Sequence, residues 1–368
     1  MNRTFSIYLD LVRFSAACLV YLWHSNQRWL VSDKLPASLY GHSAVVVFFV
    51  LSGFVIAYIS SKKENTLLEY SASRLARVYS VVIPAIILTV VLDYFGRLGM
   101  PQVYGYPFGQ FPIRILASAL FCNEIWFISI TSFSNVPFWS ICYEFWYYVF
   151  FGIITFVPNR KWSYGGIALL ALFLGPKIIL LAPIWALGVV LFRWRRLTTI
   201  SMTLSWIMFI GGAVGIVLFH WFDIAKLVGE RFESLIGVDL YTNLTFSKYF
   251  PSDYILGPLI FVHFAGARNA LRQIAPVVYL FERPIRLAAS YTFSLYLLHQ
   301  PLFLFWGAML KGNPNGHVFW ATTTMLVAVS VVLIGFFTEN KRYLLKKIII
   351  QLLMRFSFAS PAPSKMQS

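Results

Sequence analysis

Charge is scarce in this 368-residue sequence: Asp, Glu, Lys and Arg together make up 12% of it, about half the ~25% usual for a soluble domain. Acid is scarcer still, 14 residues against 30 basic ones, which leaves a formal net charge of +16. With 59% hydrophobic residues, among them 35 Phe, 20 Tyr and 12 Trp, too little polar surface remains to coat a globule in water. This excludes a water-soluble enzyme, a disordered tail and a nucleic-acid-binding domain, because a basic surface must be wet to meet phosphates. Cysteine is nearly absent. Cys18, Cys122 and Cys142 make no disulfide framework. There is no His/Cys cluster with zinc spacing, no Walker loop and no Gly-x-Ser-x-Gly elbow, so nothing argues for a metal, ATP or an esterase triad.

What the sequence has is long apolar runs, each able to cross a bilayer as a helix of roughly 17–25 residues. They fall near 7–25, 42–60, 78–96, 138–157, 164–181, 203–221, 290–310 and 318–338, with shorter or Pro-broken candidates near 183–194 and 254–268. The expected fold is all-α, a polytopic membrane protein of about ten transmembrane helices. Orientation follows from the connections. With the N-terminus inside, 21 of the 30 Lys and Arg residues lie on the inner side, including Arg3, Lys63, Arg160, Arg286, Lys341, Arg355 and Lys365. They carry the whole positive excess, and the charges of the remainder cancel. This predicts an N-in, C-in topology. The segment 113–130 is apolar but interrupted by Asn123 and Glu124, and is read as a re-entrant or interfacial piece of an outer loop. Asp10 and Arg13 spoil the first run as a signal-peptide core, so it is expected to be retained. The simplest division is a membrane domain over 1–340 and a basic cytoplasmic tail over 341–368.

Ionisable side chains inside spans are costly and mark function by default. Arg13 and His24 are 11 residues apart, near three helical turns, so they share a face about 16 Å apart. They read either as a snorkelling anchor and a polar cap or as parts of a site. Ser52-Gly53, in mid-span, reads as a close helix contact. Arg74 and Arg77, at i and i+3, suit a phosphate-bearing ligand or simple positive-inside anchoring. In the fourth span Ser140 and Glu144 share a face. Glu144 needs a partner, either His24 or a group on another helix, unless it is protonated. His299, before Pro301, is a packed core residue or touches a ligand.

These pieces, in this order, resemble the acyltransferase-3 family of integral membrane acyltransferases. The match rests on Leu9-Asp10-x-x-Arg13 followed by His24, Phe48-Phe-Val-Leu-Ser52-Gly53-Phe and Arg74-x-x-Arg77. It continues through Trp139-Ser140-Ile-x-x-Glu144, Tyr296-Leu-Leu-His299-Gln-Pro301 and a closing Glu339. Asn340 stands where the family usually has a proline. The resemblance implies a stand-alone enzyme of the bacterial inner membrane. It would move an acyl group, most often acetyl, from cytoplasmic acetyl-CoA or another acyl-CoA. The acceptor would be a hydroxyl of a surface polysaccharide, lipopolysaccharide or glycolipid beyond the bilayer. It also implies His24 and Glu144 as catalytic residues, His24 acting as a base or as an acyl carrier, and Arg13, Arg74 and Arg77 as donor-binding residues. Asp10, Ser52, Trp139, Ser140, Tyr296 and His299 would contact substrate or support the site. Transfer of a larger group such as succinyl is the nearest alternative. A proton-coupled transporter or flippase using Glu144 and His299 is the rival from another class.

Overall fold

The computed structural model describes residues 1–358; Lys365 and the rest of the stretch to 368 lie outside the described residues, as does the side chain of Arg355. Eleven longer helices dominate. They are α1 (Arg3–Ser25), α2 (Gly41–Lys63), α3 (Leu67–Gly99), α4 (Phe138–Phe156), α5 (Arg160–Leu174), α6 (Pro176–Arg193), α7 (Met202–Trp221), α8 (Phe250–Ala270), α9 (Thr292–Leu310), α10 (Val318–Phe337) and α11 (Arg342–Phe358). No strand forms among the described residues. The protein is an all-α, polytopic membrane protein. Seven helical stretches are long and apolar enough to cross a membrane: α1, α2, α3, α6, α7, α9 and the continuous run Val318–Met354. The other expected spans are helices too, but α5 has 15 residues, about 22 Å, and α4 and α8 carry more polar groups.

Helix starts follow local chemistry. Asn2 caps α1 by accepting from Phe5 N–H at 2.7 Å, and Thr66, Asn159 and Ser201 cap α3, α5 and α7 in the same way. One boundary departs from expectation. The run 164–181 breaks at Gly175, and α6 starts afresh at Pro176. Gly175 has φ +78°, and a Cβ there would press on Trp126, whose N–H donates to the Leu174 carbonyl. Only glycine fits this turn.

The bundle closes through small residues. A Cβ on Gly53 of α2 would overlap the Trp185 carbonyl oxygen, and one on Gly188 of α6 would overlap that of Val50. The two backbones therefore touch, as close crossings in lipid require. Helix α9 is buried nearly all round and is the central post. The bundle's outer flank is apolar: Ile207, Ile210, Val214 and Val217 on α7 and Val329, Val332 and Leu333 on α10 are exposed, a surface suited to lipid.

The stretch 111–137 does not cross. Its helix, Phe111–Ala119, has nine residues, and the rest is a folded plug of buried polar groups. Glu124 is ion-paired with Lys177 at 2.5 Å and also accepts from Ser129 and Thr245. Asp93 accepts from both Ser134 N–H and Oγ. Pro301 has no N–H for the Leu297 carbonyl, and Asn135 Nδ2 donates to that carbonyl instead, at 2.8 Å. Past α10 a short turn, Glu339–Lys341, leads into α11, which packs along α3. The segment beyond residue 340 is thus helical up to Phe358, and the first residue of α11, Arg342, reaches the cavity described next.

Candidate active site

A cavity of about 600 Å³ lies between α1, α2, α3, α4 and α9. On α2 its wall runs through Val45, Phe49, Ser52, Ile56, Ile59 and Lys63, spaced by alternating fours and threes along one helix face, with Phe48, Leu51, Val55 and Tyr58 beside them. Val45 and Lys63 are 18 residues apart on that helix, so the cavity extends about 27 Å along it. The two ends differ in chemistry. One is lined by Arg13, Lys63, Arg74, Arg77, Arg286 and Arg342; the other is closed by Val45, Phe48, Ser140 and Tyr296. The carboxylates on the wall are Asp10, Glu144 and Glu339, half as many as the cations.

Partners distinguish the cations. Asp10 clamps two of them, Arg13 at 2.5 Å and Arg286 at 2.9 Å. Arg74 donates to Glu64 at 2.6 Å, and both side chains are buried. Among the described residues no carboxylate lies within 4.0 Å of Arg77, Arg342 or Lys63. Glu339 is occupied elsewhere. It accepts from Ser294 N–H at 3.0 Å and from Ser294 Oγ at 2.9 Å, a borrowed carboxylate on the first turn of α9, where free N–H groups and the helix dipole favour it.

Midway along the cavity Glu144 accepts from Ser52 Oγ at 2.5 Å and from Tyr148 Oη, while Trp185 Nε1 donates to Ser52 Oγ at 3.1 Å. At the closed end Ser140 Oγ and Tyr296 Oη are bonded at 2.6 Å. One turn further along α9, beyond this closure, is His299. It is fully buried, with its Nδ1 2.7 Å from the Tyr296 carbonyl oxygen. Its ring centroid is 5.2 Å from that of His24. Among the described residues no group of three or more His, Cys, Asp or Glu is placed to hold a metal ion.

The model of the acyltransferase-3 family, described as an acyltransferase domain, matches residues 6–338. The chain belongs to this family. Acyltransferase MdmB of Streptomyces mycarofaciens is 27% identical over 171 residues, which is 43% of this chain. The match spans 42% of that relative's length. No solved structure matches.

This acyltransferase-3 chain gathers most of the residues singled out from sequence, with one correction. Arg13, Arg74, Arg77, Ser52, Ser140, Glu144, Tyr296 and Asp10 all line the one cavity. Trp139 stands behind it, stacked on Phe246 at 4.4 Å. The pairing of Glu144 with His24 is not found. Glu144 is bonded by Ser52 and Tyr148, whereas His24 packs against Trp23 and His299 and is off the cavity wall. Arg74 and Arg77 differ in their partners: Glu64 holds Arg74, and among the described residues no carboxylate lies within 4.0 Å of Arg77. Sequence reading passed over Tyr148, Trp185, Arg286 and Arg342. Tyr148 had a local signal, standing four residues after Glu144 on the same face; the others depend on which helices meet.

Proposed function

We propose that this protein is a multi-pass acyltransferase of the bacterial inner membrane, with both termini cytoplasmic and the cationic end of the cavity facing the cytoplasm. The donor is an acyl-CoA, most simply acetyl-CoA. Its phosphates meet Arg77 and Arg342, with Arg13 and Arg74 held close by Asp10 and Glu64, and its thioester arm runs up the apolar α2 wall past Ser52 and Glu144. The acceptor is a hydroxyl of a surface polysaccharide, lipopolysaccharide or glycolipid, arriving from the opposite face near His24. The observation that carries this reading is the shape of the cavity. It is cationic at one end, mostly apolar along α2 apart from the Ser52–Glu144–Tyr148 cluster midway, and closed by Ser140 and Tyr296 one helical turn short of the His24–His299 pair.

The chemistry is acyl transfer. His24 takes the proton from the acceptor hydroxyl, and the oxygen attacks the thioester carbonyl carbon. The C–S bond breaks as the C–O bond persists, and the proton passes to the leaving sulfur, giving the ester and free thiol. The Ser140–Tyr296 hydroxyl pair, at the cavity end, is placed to donate to the carbonyl oxygen as it becomes negative. Glu144 accepts from both Ser52 and Tyr148 and so fixes them in the wall.

Purified protein in lipid nanodiscs, given acetyl-CoA labelled in the acetyl group and an envelope glycolipid extract, tests this. Wild type should consume donor and label the extract, and His24→Ala should do neither while remaining inserted. Full activity in His24→Ala would remove His24 from the chemistry, and no consumption of any acyl-CoA by wild type would defeat the proposal.

A further inference from the structure

The orienting partner that His24 lacks in Glu144 has another candidate. Three observations meet at His299. Its Nδ1 lies 2.7 Å from the Tyr296 carbonyl oxygen and 3.1 Å from that of Leu295. A carbonyl only accepts, so Nδ1 carries the proton and Nε2 holds a lone pair. That Nε2 is buried and has no hydrogen-bond partner, an arrangement that costs free energy unless something uses the atom. Lastly, the His24 ring stands 5.2 Å away, centroid to centroid, with the planes inclined at 47°. Two imidazoles joined by an N–H···N bond of ordinary length have centroids roughly 5 Å apart, since each nitrogen is about 1.1 Å from its ring centre. The separation therefore fits such a bond, and a rotation of the partly buried His24 ring would align it.

The surroundings hold His299, whereas at His24 the Gln27 amide bonds the backbone carbonyl and not the ring. Tyr21 packs edge-on to His299 at 6.2 Å and is itself bonded to Thr324. Asn135 holds the Leu297 carbonyl that Pro301 releases, so the backbone around His299 stays helical despite the proline. His24 lies near the end of α1, one residue before its last.

We propose that His299 is the positioning residue of His24: its Nε2 accepts the N–H of one His24 nitrogen and so leaves the other nitrogen as the lone pair that takes the acceptor's proton. A triad carboxylate sets a tautomer in the same way, but here the partner is neutral, which suits a site buried in a bilayer where an extra unpaired charge is expensive. This inference rests on the acyltransferase reading above.

Two substitutions separate positioning from packing. Glutamine places its amide where Nε2 stands and can still offer an acceptor to His24. Asparagine places its amide where Nδ1 stands, so it keeps the bond to the Tyr296 carbonyl and offers His24 nothing. With labelled acetyl-CoA, His299→Asn should lower kcat on the order of 100-fold, and His299→Gln should stay about tenfold or more above it. The donor KM should be unchanged in both, because His299 is off the donor cavity. Asparagine matching or exceeding glutamine, or wild-type kcat in both, overturns the proposal. Should neither variant fold, nitrogen NMR of isotope-labelled histidine in wild type decides, and a proton on His299 Nε2 overturns it. An inactive wild type would instead count against the acyltransferase reading itself.

Discussion

Replacing Arg77 by alanine removes a guanidinium that has no carboxylate within 4.0 Å among the described residues and that faces the cationic end of the cavity. If it holds a donor phosphate, the loss is one charge-assisted contact, about 1.5–3 kcal/mol. At about 1.4 kcal/mol per tenfold, that is roughly a 10–150-fold rise in donor KM with kcat little changed. Arg74→Ala behaves differently. It strands Glu64, whose side chain is 2% exposed, so its main effect is on stability, about 3–5 kcal/mol. The assay is donor titration with acetyl-CoA and with acetyl-pantetheine, which has the same thioester but none of the nucleotide phosphates. Wild type should prefer acetyl-CoA strongly, and Arg77→Ala should lose most of that preference while its thermal unfolding stays near wild type. An unchanged preference in Arg77→Ala would refute the phosphate assignment and reduce this arginine to a topology anchor.

The plug and the crossings give further predictions. Lys177→Met leaves Glu124 buried without its cation and should cost about 3–5 kcal/mol in thermal unfolding, whereas adding Glu124→Gln should restore most of it. Asn135→Leu leaves the Leu297 carbonyl without a donor and should cost about 1–3 kcal/mol, with activity falling as the turn of α9 that carries His299 loosens. Gly188→Ala drives a methyl into the Val50 carbonyl, which should cost about 1–3 kcal/mol and, by shifting α2, reduce activity beyond the loss of folded protein. Melting curves in detergent alongside single-turnover assays check all three.

The helices were largely legible because hydropathy and the basic connections act over whole segments, and few competing arrangements satisfy both. Where local chemistry competed, run length misled. The apolar stretch 164–181 reads straight through Gly175-Pro176, although that dipeptide is itself a turn signal, and here it ends α5 and starts α6. The cavity's residues were legible as polar groups in the wrong solvent, and the structure brings eight of them to one space. Their pairings were not. Glu144 stands at a depth similar to His24 along its own helix, but hydrogen bonding is decided by which helix faces which, and α2 presents Ser52. Glu64 and Arg74 meet because the turn between α2 and α3 is short, a pairing that neither helix pattern shows. His24 and His299 come from the first and ninth helices, and no local pattern links them.

Sidedness is the most direct test of the central claim, that the donor enters at the cationic end and the acyl group leaves by the opposite face. Membrane vesicles of known orientation, made from cells expressing the protein, are given radiolabelled acetyl-CoA on the outside only. The account predicts that inside-out vesicles, which present the cationic end, transfer label to a glycan or glycolipid enclosed in the lumen, and that right-side-out vesicles do not. Equal labelling from either side, or labelling only by right-side-out vesicles, would contradict it.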